Sequence, residues 1–518
     1  MEIEALISEL MTIRQAILDC ETAYEEQISK VHPNYRYSAR NFIRYLKLRT
    51  FELRPLQEQL SAMGLSSIGH SERYVLANIE NILYFLHLYV GRPFQGKFDL
   101  GEHPVNYFKS LRVLNENTER LFGKTNQPYH TRIMVTLPSQ AADDAGLVDR
   151  LLKTGMENAR INCSHDHTAV WLRMIANIRT VSAQIGHDCK IYMDLPGPKL
   201  RTGPVEIMER PDKNQQSFIR LFPGDLLHVY RHEILGSSAR YDGNGQLIEP
   251  AKISVSIPSV FTHTRINDRV WFDDGKIGGR IIDKGEDYLV VRIKRAKPNG
   301  SKLRAEKGIN LPDTRLELPS LQKDDLDFLP FIAQHADLVG YSFVRTGRDV
   351  EFLQEELRRL KREDIGLVLK IENEEAFSNF PELLLTAMRS PNIGVMIARG
   401  DLAVELGPER ISEVQEMLLW LSEAAFIPII WATQVLEKLA KEGIATRSEI
   451  TDASMASRSE CVMLNKGENI LETVEILANI LQRMESHQYK KKGTLRPLNV
   501  ARRFFPDPGK SLFYCSFK

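Results

Sequence analysis

Two kinds of hydrophobic patterning divide the chain. Through residues 1–125, apolar positions recur every three or four residues, as in "IEALISELMTIRQAILDCETAYEEQI" and "SERYVLANIENILYFLHLYV". That is the spacing of one helical face. Strand signals are nearly absent there, so residues 1–130 are expected to form a helical extension, joined onward by the polar link "GKTNQPYHT". From residue 131 short apolar runs alternate with amphipathic segments: "RIMVTL", "NARINC", "KIYMDL", and later "DLVGYSF", "GLVLKI", "IGVMIA", "IPIIWA" and "CVMLNK". Eight buried strands with helical patterns such as "AGLVDRLLKTGM" between them predict a parallel (β/α)8 TIM barrel over 131–203 and 311–485. An open doubly wound sheet is the alternative, but it usually has fewer strands and a Gly-rich first turn, and no G-x-G-x-x-G is present.

Residues 204–310 are of another texture. "LFPGDLLHVYR", "ISVSIP" and "DRVWFDDGKIGGRIIDKGEDYLVVRIKR" alternate with period two between Gly, Asp and Pro turns. This predicts a small β-domain inserted after the third barrel strand. Such an insertion lies over the C-terminal mouth, where barrels of this kind do chemistry, so it is expected to act as a lid. Residues 486–518 read as a short basic tail interrupted by Pro.

Composition narrows the partners. The 518 residues carry 43% hydrophobic and 26% charged side chains, ordinary for a globular protein. Lys plus Arg equals Asp plus Glu at 68 each, so no basic surplus points to nucleic acid or an acidic membrane. Five scattered cysteines (Cys20, Cys163, Cys189, Cys461, Cys515) fit a reducing compartment rather than a disulfide framework. The opening "MEIEALISEL" has neither the basic nor the apolar region of a signal peptide, and a cytoplasmic location is expected. "GKT" at Gly123 is not a phosphate loop, because position 118 is Thr where that loop needs Gly.

Candidate chemistry gathers where strands end. Strand two runs into Arg160, Asn162, Ser164 and His165, strand three into Asp194, Lys199 and Arg201. Strand five ends in Lys370 and Glu372, strand six in Arg399, Gly400 and Asp401, and strand seven in Thr433 and Gln434. Lys370 and Glu372 share a strand face, and alone they would be read as a salt bridge closing the strand. Two carboxylates on neighbouring strands, Glu372 and Asp401, suit a hard oxygen-seeking ion such as Mg²⁺. Arg160, Arg201 and Lys370 around that ion describe an anionic, phosphorylated substrate. The Gly-Asp step of "ARGDLAVELG" offers backbone N–H groups to a carboxylate or phosphate.

These residues resemble a known family. "MENARINCSH", "DLPGPKLRTG", "FDDGKIGG", "KGINLP", "SFVR", "KIEN", "IARGDLAVE", "IIWATQVLEKL" and "TRSEITDAS" look like the successive motifs of pyruvate kinase, in order, across residues 131–481. The resemblance implies phosphoryl transfer between phosphoenolpyruvate and ADP, giving pyruvate and ATP, with Mg²⁺ (or Mn²⁺) held by Glu372 and Asp401. Lys370 would meet the phosphoryl group in flight and the enolate, and Arg160 would grip the phosphoryl group. Gly400, Asp401 and Thr433 would take the substrate carboxylate, and Arg201 would be a phosphate contact. Pro138 sits where the family packs adenine, and Asn162 and Lys307 would lie on the nucleotide side. Asp274 and Lys307 lie in or beside the lid. Asn162, Ser164 and Asp194 match a monovalent-cation pocket. Members needing K⁺ generally carry Glu where this chain has Lys199, so K⁺ is expected to be dispensable.

The chain departs from the family in places. "MLNKGENI" stands for the usual Leu-Ser-Gly-Glu-Thr, putting Asn465 at the Ser and Lys466 beside it, near the end of the site that delivers a proton. Cys163 replaces a usual Phe and Asp166 a usual Gly. No counterpart of the family's C-terminal regulatory domain is expected, and the N-terminal helices are expected to pack on the barrel or make a homo-oligomer. Two other functions share the scaffold: a different phosphoenolpyruvate/pyruvate-barrel enzyme using Mg²⁺–enolate chemistry, and a catalytically inactive regulatory homologue.

Overall fold

The computed structural model describes residues 3–96, 105–206, 217–257, 260–315, 318–489 and 492–493, so most of the expected tail lies outside the described residues. All eight expected barrel strands form: Arg132–Thr136, Asn158–Asn162, Lys190–Asp194, Leu338–Tyr341, Gly366–Ile371, Ile393–Ala398, Ile429–Ala432 and Cys461–Leu464. They pair in parallel and in chain order, and strand one closes on strand eight with Arg132 opposite Cys461. Strands five and six are buried at every position. This is why they read as unbroken apolar runs rather than alternating ones.

Helices take over where the sequence supplies caps. The Asp144 side chain accepts the Leu147 N–H at the start of Ala145–Thr154. Thr346 and Asp349 form a reciprocal capping box at the start of Gly347–Arg359.

The described residues of the N-terminal stretch form six α-helices: α1 (Ile3–Ala23), α2 (Glu25–Lys30), α3 (Arg36–Leu48), α4 (Arg54–Ala62), α5 (Val75–Tyr89) and α6 (Tyr107–Phe122). Their apolar stripes join the barrel's core, with Leu10, Phe42 and Ile79 buried in the same cluster as Leu383 and Leu418. Directed bonds fix the docking: Asn41 Nδ2 donates to Ala424 O at 2.8 Å, and Asn117 Nδ2 to Phe426 O at 2.7 Å. Helix α6 delivers Leu121 and Phe122 to the N-terminal end of the barrel interior, against Met134, Val368, Met396 and Met463. Two strand glycines make room for it. A Cβ on Gly394 would lie 2.4 Å from Leu121 Cδ2, and one on Gly366 would lie 2.9 Å from Cδ1.

Between strands three and four the chain forms the inserted β-domain. Its main sheet has six strands, built around the long hairpin Ile277–Lys284 and Tyr288–Arg295. It has its own core, including Leu227, Ile253, Phe272 and Ile293. The outgoing and returning connections pair with each other: Arg201 bridges Gly308, Thr202 N–H donates to Lys307 O, and Ile309 N–H donates to Leu200 O. Among the described residues no helix is long and apolar enough to cross a membrane.

Candidate active site

The side chains singled out from the strand ends converge. A cavity of about 140 Å³ is lined by Arg160, Asn162, Ser164, Lys199, Arg201, Ser342, Lys370, Glu372, Asp401 and Thr433 among others. Most come from a strand end or from the first turn after it, because parallel strands all present the same end to one side, while Lys199 and Arg201 come from the connection to the β-domain.

Lys370 is the centre of a buried charge network. Its ammonium lies 3.1 Å from Glu372 Oε1 and 3.7 Å from Asp194 Oδ1, and donates to Ser342 Oγ at 2.7 Å. Burial works against the ammonium, but the carboxylates of Asp194 and Glu372 outweigh it, and its pKa is raised. Glu372 is pushed up from the usual carboxylate range, first by burial and then by the nearby Asp401 charge, with Lys370 opposing. The Phe343 N–H donates to Glu372 Oε2 at 2.7 Å. Phe343 adopts a left-handed φ of 55°, a costly conformation for a bulky residue, held in the turn after strand four.

Asp194 lies beneath the cavity. Arg160 reaches its Oδ2 with Nε at 2.6 Å and Nη2 at 2.5 Å, and the Tyr192 hydroxyl donates to Oδ1 at 2.6 Å. Burial alone would raise the Asp194 pKa, yet Arg160 and Lys370 bring it below the ordinary value. Arg160 also donates to Thr136 Oγ1 at 2.8 Å, which sets the guanidinium against the cavity wall.

Strands six and seven meet at Thr433, whose Oγ1 accepts the Gly400 N–H at 2.8 Å. Arg399 holds this corner, donating to Ala432 O and Thr433 O at 3.0 and 2.6 Å and pairing with Asp452.

Lys199 lines the same cavity as Asn162 and Ser164. Its ammonium bonds both carboxylate oxygens of Asp401 at 2.9 Å. Asn162 Oδ1 accepts the Ser164 N–H at 3.1 Å, and the Asp194 charge is taken by Arg160, Tyr192 and Lys370.

A second cavity, about 220 Å³, shares Arg160 and Asn162 and adds Leu137, His165, Glu437, Lys441, Asn465 and Lys466. His165 is held below its usual pKa by burial, then by the charges of Lys466 and Arg201. Pro138 begins the turn directly after Leu137. Lys307 lies 3.3 Å from Asp273 on the β-domain, and Arg201, in the lining of the first cavity, donates to Glu306 O at 3.1 Å.

The sequence left several partners unnamed. Ser342 sat inside a quoted motif without a role, and Tyr192 read as one more strand residue. Glu405 and Asn310 were missed: Asn310 Nδ2 donates to Glu405 Oε1 at 3.0 Å and lies 3.4 Å from Asp401 Oδ1. Burial, with Asp401 nearby, pushes the Glu405 carboxyl up to about 7. Helical spacing hinted at it, since Asp401 and Glu405 stand four apart on helix Arg399–Leu406.

Comparison with known proteins agrees with this architecture. Residues 129–470 match the model of the family described as "Pyruvate kinase, barrel domain". The pyruvate kinase of Geobacillus stearothermophilus is 31% identical over 364 residues, 68% of this chain and 57% of its own length. That of Dictyostelium discoideum is 30% identical over 364 residues, 68% of this chain and 66% of its own. The match thus spans between 57% and 66% of these relatives' length. A crystal structure of a pyruvate kinase from Cryptosporidium parvum superposes with a TM-score of 0.58 at 25% identity, covering 71% of this chain and 70% of that one. With the family model matched along two-thirds of its length, and the barrel and strand-end cluster in place, the chain belongs to the pyruvate kinase family.

Proposed function

We propose that the protein catalyses phosphoryl transfer from phosphoenolpyruvate to ADP, giving pyruvate and ATP, with Mg²⁺ or Mn²⁺. The observation that carries this reading is the single cavity onto which Arg160, Lys370, Glu372, Asp401 and Thr433 all open. Glu372 and Asp401 are all-oxygen donors at the ends of adjacent strands, a set that fits a divalent ion keeping water and substrate oxygens in its remaining positions. They would hold that ion, which when bound neutralises charge on the phosphoryl and enolate oxygens.

The chain's own groups divide the remaining work. Lys370, charged at neutral pH, stabilises the phosphoryl group as its bond to the enolate oxygen breaks and offsets the negative charge left on that oxygen. Arg160, anchored on Asp194 and Thr136, keeps guanidinium N–H groups for the phosphoryl oxygens. Thr433 accepts the Gly400 N–H, so its own O–H is free to face the substrate. Lys441, Lys466 and His165 make the adjoining cavity suited to nucleotide phosphates.

The test is a coupled assay for pyruvate with the full chain, phosphoenolpyruvate, ADP and Mg²⁺. Pyruvate formed in an ADP-dependent manner supports the reading, and none formed at micromolar protein overturns it.

A further inference from the structure

Away from the strand ends, a cavity of about 700 Å³ opens along the seam between the N-terminal helices and the barrel. One wall comes from α1–α3 and the turn after α1, with Cys20, Tyr24, Ile43, Leu46 and Lys47. The other comes from helices Gly347–Arg359 and Phe380–Ala387, with Arg348, Pro381, Glu382 and Leu385. Half of this site is thus built from residues that precede the 129–470 family match.

The wall chemistry selects a ligand class. Ile43, Leu46, Pro381 and Leu385 give an apolar bed, and the volume lies in the range of small-molecule pockets. Arg389 and Glu351 on the rim neutralise each other at 2.6 Å. The Glu382 carboxylate lies against the start of helix Gly347–Arg359, 2.6 Å from where a Cβ on Gly347 would stand. There it offsets the helix's positive end. Among the described residues, no carboxylate pairs with Lys47, whose ammonium lies over the Phe51 ring at 5.5 Å, or with Arg348.

The same wall continues into the candidate active site. Gly347 and Arg348 open a helix whose preceding turn, Ser342–Thr346, accepts from Lys370 through Ser342 and donates to Glu372 through Phe343. The Asp349 carboxylate accepts the Arg345 and Thr346 N–H groups, both at 2.9 Å, and ties that turn to the helix start.

We propose that this seam cavity binds a small amphipathic anion, an apolar body carrying one carboxylate or sulfonate group, and that its occupation tightens the Ser342–Thr346 turn. The anionic group lies between Lys47 and Arg348, and the apolar body lies on Leu46 and Leu385. The effect on catalysis rests on the proposed function, but binding does not.

The probe is 1-anilinonaphthalene-8-sulfonate, titrated into the full chain and followed by its fluorescence. One saturable site per chain is expected. Arg348→Glu reverses the charge on the exposed rim, and Leu385→Trp fills the bed. Each weakens binding about tenfold or more, whereas Arg359→Glu, on the same helix outside the cavity, changes it little. Saturation slows hydrogen exchange in the peptide holding Phe343. Arg348→Glu binding as tightly as the unmodified chain overturns the site. Unchanged exchange at Phe343 under saturating probe overturns the coupling. Neither readout involves pyruvate, so a chain without kinase activity would still decide the matter.

Discussion

The Lys199 ammonium and the Asp401 carboxylate form a two-oxygen ion pair, 2.9 Å to each oxygen, across 202 residues of sequence. The same carboxylate is the one proposed to hold the divalent ion, so the two cations compete for it. Lys199→Met is expected to raise Mn²⁺ affinity about tenfold, the worth of one charged hydrogen-bonded contact. Isothermal titration of the full chain with MnCl₂ measures it, and equal affinities in both proteins would refute the competition.

Monovalent cations are expected to matter little. The Asp194 carboxylate is already compensated by Arg160 and Lys370, which leaves little unbalanced negative charge in the pocket with Asn162 and Ser164. Initial rates with Mg²⁺ alone should be close to those with KCl added at constant ionic strength. Lys199→Glu adds a carboxylate beside Asp401 and should create K⁺ dependence. Many-fold activation of the unmodified protein by K⁺ would show that Lys199 does not substitute for it.

Lys370→Met should cost about 10²–10³ in kcat, the size of effect seen when one group facing transition-state charge is lost. The methionine nearly keeps the length of the side chain, so circular dichroism should show a folded protein, while the melting temperature should fall because Asp194 and Glu372 lose a buried cation. A variant with near-normal turnover would remove this strand end from the chemistry.

Glu405 gives the protein a pH signature. Its folded pKa, pushed up to about 7, lies above the ordinary value of 4.5. Folded protein therefore holds this proton more tightly than unfolded chain. The resulting stability is full below the ordinary value and is lost as pH rises through the folded one. With partial exposure discounted, the loss is on the order of 2 kcal/mol. Glu405→Gln removes the titration, so its melting temperature relative to the unmodified protein should be higher at pH 8 than at pH 5. An equal difference at both values would count against this assignment.

The N-terminal helices are expected to be part of the fold's stability. Leu121 is buried against the strand glycines Gly366 and Gly394, which carry no side chain to fill its place. Leu121→Ala should destabilise by about 2–5 kcal/mol, read from thermal and urea unfolding. A chain beginning at His130 should be poorly soluble, because it bares the barrel face that α3 and α6 cover. Full solubility and activity of that shorter chain would contradict the packing argument.

What the sequence disclosed follows a physical division. A parallel strand buried on both faces must be apolar throughout, so "GLVLKI" and "IGVMIA" could be recognised singly. The charged groups could also be found, because a buried strand turns polar only where it meets the mouth. Pairings were harder. Lys199 was expected near Asn162, Ser164 and Asp194 and lines one cavity with the first two, but its bond to Asp401 was not legible, because a four-carbon side chain can reach several carboxylates and only the backbone path decides which. Tyr192 on Asp194, Asn310 on Glu405 and Leu121 in its glycine slot are contacts between elements, and no periodicity along a single element encodes them.

The paired connections that carry the inserted β-domain have a mechanical consequence. Lys199 and Asn310 sit on opposite strands of this two-stranded stalk, and both bond to the helix that starts at Arg399. The stalk's own hydrogen bonds keep its strands in register, so any rotation of the β-domain would carry both strands together. Such a rotation would strain the Lys199 and Asn310 contacts together. The orientation of some hundred residues would thereby be felt at two neighbouring carboxylates, Asp401 and Glu405. A cation that displaced Lys199 from Asp401 would therefore also loosen one of the arm's two anchors.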